Sequence, residues 1–309
     1  MDKFFTVAKV IAPIFTAVSL GLLARRKQLM KPKEVRGLQQ FVLNFGLPCV
    51  LFNSCLTANV GAESLGTLAL VLPCVLIATL WAFHARKRLF PYHNLPMLFC
   101  AQESGMLGIP LFLILFGSAE AYRMGILDIT QAIVAFPVIA ILTAKTGERP
   151  STGEIVKNVL TSPLLLISLL GLILNLSGIG GWLNRIGIGS IITASTTFLA
   201  QPVSAMMIFS VGYNFSLSQE NRKAVFRISL IHFLTYALIG ILVQLGLFLI
   251  PGVDATTRWA VLMYSTLPAS YLAPGLGRTD EETAVSSRVC SLLTVISLIV
   301  FCLIAVFTA

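Results

Sequence analysis

Charge is scarce in this sequence. Acids and bases together make up 11% of its 309 residues, against roughly 25% in a soluble globular domain. Signatures of catalysis are missing too: there is no HExxH, no GxSxG and no acid pair at close helical spacing, so an enzyme is not expected. No P-loop is present, which removes ATP as a direct energy source. The six cysteines (Cys49, Cys55, Cys74, Cys100, Cys290 and Cys302) form neither a zinc pattern nor a disulfide framework. The three histidines, His84, His93 and His232, have no ligand spacing, so neither metal nor cofactor is expected. Long polar segments are also lacking. The longest, 144–157, is too short for a domain, and nothing supplies the output domain of a membrane sensor.

What fills the chain is hydrocarbon. Apolar residues are 56% of the total and the mean hydropathy is +0.88. A helix needs about 20 apolar residues to cross a bilayer. Ten stretches qualify: 4–24, 36–56, 65–84, 95–117, 121–143, 155–176, 191–213, 227–250, 257–276 and 284–307. The first is too long for a signal-peptide core, and ARRK (24–27) follows it instead of a cleavage site, so it is read as a retained helix. The net charge of +9 might suggest nucleic acid, but the bases sit in short clusters between apolar spans and alternate between sides. Seventeen of the 22 lie in, or at the edges of, the loops after spans 1, 3, 5, 7 and 9. That bias predicts cytoplasmic basic loops and both termini outside; composition and motifs suggest a bacterial inner membrane.

An odd number of helices per half inverts the second half, so five plus five predicts an inverted repeat, 1–150 and 151–309. Prolines recur at nearly constant offset: Pro13 with Pro163, Pro48 with Pro202, Pro110 with Pro268. The expected fold is an all-α membrane protein of ten transmembrane helices. Spans 4 and 9 carry Gly105, Gly108 and Pro110 in one, Pro268 and Pro274 in the other, and are expected to break into half-helices starting at Pro110 and near Pro268. Broken helices at matching positions point to a carrier's substrate site, with N-terminal amides for an anion and free carbonyls for a cation. Gln102, Ser104, Ser265, Thr266, Ser270 and Tyr271 stand near the breaks and can supply directional bonds.

Two acids lie within spans. Glu103 could bind a proton, ligate a cation or bond a hydroxyl, and an intramembrane acid is functional by default. Asp128, with Gln131 one turn on, is the second candidate for coupling. Asn44 precedes Pro48 by one turn and is expected to bond carbonyls that the proline frees. Lys9 is expected to snorkel outward.

FVLNFGLPCVLF (41–52), ESGMLGIPLF (103–112), LPASYLAP (267–274) and TAVSSRVCSLLTVISL (283–298) resemble the auxin efflux carrier family over nearly the whole chain. That family includes bacterial organic-acid carriers such as malonate transporters, and the plant auxin exporters. The resemblance implies that helices 4 and 9 cross at the substrate site, with Pro110 and Pro268 matching the crossover prolines and Pro274 close by. It implies a dimerising scaffold of helices 1, 2, 6 and 7, and a transport domain of helices 3–5 and 8–10 that moves as an elevator. The implied substrate is a small organic acid, with a proton or sodium as coupling ion. One departure matters. Family members usually have Asn-x-Gly where this chain has Glu103-Ser104-Gly105. Two like charges at ~4 Å and an effective dielectric near 20 cost about 4 kcal/mol. So Glu103 is protonated when an anion binds, or a cation neutralises it, or the substrate is a neutral or cationic metabolite with Glu103 as counter-charge. A channel is less consistent with broken helices in inverted repeats than alternating access is.

The orientation has a direct check. Single cysteines placed in 25–36 and 144–157 should react with an impermeant maleimide only from the cytoplasmic side; labelling of either from outside would reverse the topology.

Overall fold

A computed structural model describes residues 2–58, 61–143, 163–215 and 220–308. The described chain is helical, without extended strands. The helices are α1 (Asp2–Arg26), α2 (Pro32–Phe41), α3 (Leu47–Thr57), α4 (Ala62–Arg88), α5 (Met97–Cys100), α6 (Ile109–Phe116), α7 (Ala121–Thr143), α8 (Pro163–Leu176), α9 (Ile179–Arg185), α10 (Ile188–Ala200), α11 (Val203–Asn214), α12 (Arg222–Leu247), α13 (Ala255–Thr266) and α14 (Asp280–Thr308). Among the described residues seven helical stretches are long and apolar enough to cross a membrane, or eight if α8 and α9, bent by 77°, count as one. Among the described residues the ten expected spans are thus not all single long helices. Spans 4 and 9 fall short because each is interrupted, and span 6 is described only from Pro163. The link 144–157, expected to separate the halves, lies outside the described residues.

Proline placement explains two irregular turns. The π turns Val42–Gly46 and Ser104–Gly108 each end in Gly-x-Pro, with Pro48 and Pro110 at the second positions of α3 and α6. Leu47 N–H reaches back to Val42 O, and Ile109 N–H to Ser104 O, one residue further than in an α-helix. The wider turn accommodates a residue that has no N–H to give and a ring that crowds the preceding turn. Pro110 thus continues a helix that begins at Ser104. The expected half-helix start at Pro110 is corrected: the break lies earlier, at 101–103, where Ala101 is extended (φ −149°, ψ 138°). The second break does begin at Pro268. Leu267 before it is extended (φ −65°, ψ 155°), as a residue ahead of proline prefers. No α-helix restarts there, and only the short 3₁₀ turn Ala273–Leu276 follows before α14.

The helices pack in two groups. In one, α1 runs along α11 and α3 along α8. Glycines let these backbones touch. A Cβ on Gly21 would collide with the carbonyl oxygen of Phe209, one on Gly212 with that of Val18, and one on Gly171 would lie 2.7 Å from that of Phe52. In the other group α4 packs on α7 and α12, and α12 on α13 and α14. Ion pairs tie one end of it. Arg123 on α7 holds Glu63 at 2.8 Å, Glu120 at 2.7 Å and Asp254 at 2.6 Å, so α4, α7 and the cap of α13 meet on one guanidinium. At another point Glu282 of α14 accepts from the backbone N–H groups of His93 (2.9 Å) and Arg278 (2.7 Å). The groups meet where α11 packs against α6 and its π turn.

Gly212→Leu should force α1 and α11 apart. Overpacking of this kind costs roughly 1–3 kcal/mol, read as a lowered midpoint in thermal unfolding; an unchanged midpoint would contradict the close approach.

Candidate functional site

The two breaks pair with each other. Gln102 and Ala269 form an antiparallel bridge. Glu103 N–H donates to Pro268 O at 2.8 Å and Ser270 N–H to Ala101 O at 3.0 Å. In hydrocarbon, peptide groups without partners cost several kcal/mol, so each break supplies what the other lacks. A cavity of about 900 Å³ opens beside this crossover. Its wall includes Gln102, Glu103, Gly105, Asp128, Ser270, Tyr271 and Pro274.

Glu103 is buried and works as a cap. Its Oε1 accepts from Met106 N–H at 3.2 Å, at the start of the helix Ser104–Phe116. Its Oε2 accepts from Tyr271 N–H at 2.6 Å, beyond the other break. One carboxylate therefore holds backbone donors from both interrupted spans, where the helix end favours negative charge. The arrangement differs from the expected pair of half-helix ends facing an open site: the start of Ser104–Phe116, a π turn, is already capped, and no α-helix starts at the second break.

Gln131 on α7 holds the crossover from behind. Its Oε1 accepts from Gln102 N–H (2.7 Å) and its Nε2 donates to Gln102 O (2.8 Å), so one amide pairs both polar groups of the Gln102 backbone. Its Nε2 also reaches Ser104 Oγ (2.6 Å) and Asp128 Oδ1 (3.1 Å). Ser104 Oγ donates to Asp128 Oδ1. From α13, Tyr264 OH donates to Gln131 Oε1 at 3.0 Å. Behind Tyr264 an aromatic column continues through Tyr236 and His232 to Phe99, with centroids 6.3, 4.8 and 5.4 Å apart. Tyr236 OH donates to Phe99 O at 3.0 Å, taking a carbonyl freed near the end of α5. The Gln102 side chain is different: it is 1% exposed, and neither its Oε1 nor its Nε2 has a partner among the described residues.

Of the residues expected at the site, Gln102, Glu103, Ser104, Gly105, Asp128, Pro268, Ser270, Tyr271 and Pro274 converge at the crossover. Tyr271 OH pairs with Thr294 Oγ1 at 2.7 Å. Three stand apart. Pro110 is buried in α6, where its carbonyl accepts from Ser204 Oγ at 3.3 Å. Ser265 donates to Leu262 O at 2.9 Å and lies against Gly240 of α12, a helix-packing position. Asn44 is exposed on the π turn, which itself accommodates Pro48. Sequence reasoning assigned no role to Gln131, Tyr264 or Thr294. Only Gln131 carried a signal, its spacing of one turn from Asp128.

Gln131→Ala should leave the Gln102 N–H and C=O unpaired, at about 1–3 kcal/mol for each buried group. Hydrogen exchange should accelerate in 101–108 ahead of the rest of the chain; unchanged protection there would contradict the clamp.

No curated protein matches this chain. Residues 6–158, however, match the family model described as membrane transport protein, that of the auxin efflux carriers. With two interrupted apolar spans paired beside a cavity, and, among the described residues, seven further apolar helices long enough to cross a bilayer, the chain is a multi-pass membrane transport protein that belongs to the auxin efflux carrier family.

Proposed function

We propose that the chain is a secondary active transporter that carries a small neutral or cationic solute through the cavity at the crossover, with Glu103 as its counter-charge. The observation that carries this is the occupancy of the backbone donors. Met106 N–H and Tyr271 N–H, the groups suited to a carboxylate substrate, are already bonded to the chain's own carboxylate. Asp128 adds a second acid to the cavity wall, and Arg36 is the sole base there among the described residues. A free carboxylate entering beside ionised Glu103 meets repulsion of about 4 kcal/mol at ~4 Å.

A small organic acid is the second reading. The family resemblance implies it, and Arg36 on the wall favours it. It requires a proton or a sodium ion on Glu103, and so ion-coupled transport.

In either case the proposed layout is ten helices in two inverted five-helix repeats, 1–150 and 151–309. The packing supports it: α1 with α11 and α3 with α8 on one side, α4 with α7 and α12 with α13 and α14 on the other. Helices 1, 2, 6 and 7 would be the scaffold and helices 3–5 and 8–10 the body that moves as an elevator. The Arg123 ion pairs and the Glu282 bonds support motion of that body as a unit. The most apolar windows of Val7–Arg26 and Ile188–Asn214 are only 17% buried, which leaves apolar faces for lipid and for a second copy in a homodimer. The distribution of bases supports cytoplasmic loops after the odd spans and termini outside, and the proposed location, from composition and motifs, is a bacterial inner membrane.

Proteoliposomes test the substrate class. Uptake and charge movement are compared for amines, neutral metabolites and carboxylates, at acidic and neutral pH, in wild type and Glu103→Gln. The expected result is transport of an amine or neutral solute that falls at least tenfold in Glu103→Gln, about 1.4 kcal/mol, with no carboxylate signal at neutral pH. A carboxylate signal that grows at acidic pH, and loses that dependence in Glu103→Gln, would establish the second reading instead.

A further inference from the structure

We infer that the rim where α4 ends and α12 begins binds the headgroup of an anionic phospholipid, whose acyl chains lie along the apolar faces of the same two helices. The two helices pack together. On α4, Ile77, Trp81, His84 and Arg88 follow at spacings of three and four, so they share one face, and all four are exposed. On α12, Arg227, Leu230 and Leu234 do the same. Each face is therefore apolar along the span and basic at one end. The basic ends meet: the Arg227 guanidinium lies 5.5 Å from the centroid of the Phe90 ring, just past Arg88. Apolar surface in the hydrocarbon with bases clustered at its edge is what an anionic lipid requires of a helix pair.

Among the described residues none of Arg86, Lys87, Arg88, Arg222, Lys223 and Arg227 forms an ion pair. Arg278 stands beside Arg86 as a further like charge. The carboxylates nearby are turned elsewhere. Glu282 takes the backbone N–H groups of His93 and Arg278, and Glu220, just ahead of α12, takes Arg288 at 2.7 Å. Aromatic rings seat two of the guanidiniums, Arg86 on Phe83 at 5.0 Å and Arg227 on Phe90, which fixes them without neutralising them. A phosphodiester supplies the missing charge. The apolar strips that end in these bases lie at the depth of the hydrocarbon, where a nucleic acid or an acidic peptide does not reach. In the orientation proposed above the rim is at the cytoplasmic leaflet, whose anionic lipids attract such bases. The rim is separate from the cavity at the crossover and holds its lipid whatever solute that cavity takes.

Native mass spectrometry of the full chain in detergent tests this with defined lipids. Wild type should retain added dioleoyl-phosphatidylglycerol roughly tenfold better than dioleoyl-phosphatidylcholine. Arg88→Gln/Arg227→Gln should lose that preference. Both residues are exposed and make no ion pair among the described residues, so the variant keeps its fold. Arg26→Gln/Lys27→Gln, which removes the same charge from exposed positions after α1, should keep the preference. Soluble glycerophosphate at the same concentration should not displace the lipid, because it has no acyl chains to lay on the helices. Equal retention of the two lipids by wild type, a preference that survives in Arg88→Gln/Arg227→Gln, or an equal loss in both double variants overturns the site. Displacement by glycerophosphate overturns the lipid and leaves a small-anion site. A dimer that Arg88→Gln/Arg227→Gln abolishes, with no lipid retained by wild type, overturns it too and assigns the face to a second copy.

Discussion

Once two helices are interrupted inside a bilayer, their loose peptide groups have no water to turn to. The structure around the crossover follows from that constraint. Ala101, Glu103, Pro268 and Ser270 exchange backbone bonds across the two breaks. Gln131 pairs both groups of the Gln102 peptide, and Tyr236 takes the carbonyl of Phe99. What those bonds leave, Met106 N–H and Tyr271 N–H, is taken by Glu103. Each satisfied group fixes a side chain or a strand of the crossover, so that pairing the backbone and shaping the site are the same event.

Electrostatics follows from the same geometry. A helix end and a break expose donors, and donors attract an anion. In this chain the carboxyl group of Glu103 takes that place. That placement explains how a carboxylate is tolerated at this depth: it is hydrogen-bonded on both oxygens instead of standing bare in hydrocarbon. It also changes what the cavity offers a solute. With Glu103 and Asp128 on the wall, attraction is for positive charge or for hydrogen-bond donors, unless a cation or proton arrives first.

Much of this was legible in the sequence because charge and proline are conspicuous against hydrocarbon. Glu103 stood out as an acid inside a span, and Pro268 marks the start of its break. Pro110 misled for a specific reason. A π turn absorbs a proline without breaking the helix, and nothing in Gly108-Ile109-Pro110 alone distinguishes the two outcomes. Pro48 follows the same pattern, and Asn44 is exposed on that turn. Ser265 shares its neighbourhood in sequence with Ser270 but faces α12, since a helix before the break turns its side chains by rules the break does not obey. Tyr264, the aromatic column and the pairing of Gln131 with the Gln102 backbone were invisible because their partners are remote in the chain, although the spacing of Gln131 from Asp128 was not: a long-range pairing has no local signature.

The pairing of the two breaks is the claim on which the site depends, and a cross-link tests it directly. Gln102 and Ala269 are the residues between the two backbone bonds of the bridge, a narrow pair whose Cα atoms approach to about 4.5 Å. In a background without the six native cysteines, Gln102→Cys and Ala269→Cys should form a disulfide under mild oxidation. After a single cut in the link 144–157, the two halves should then migrate together on a non-reducing gel and separate on reduction. Halves that separate without reductant, in protein that is otherwise folded, would contradict the crossover.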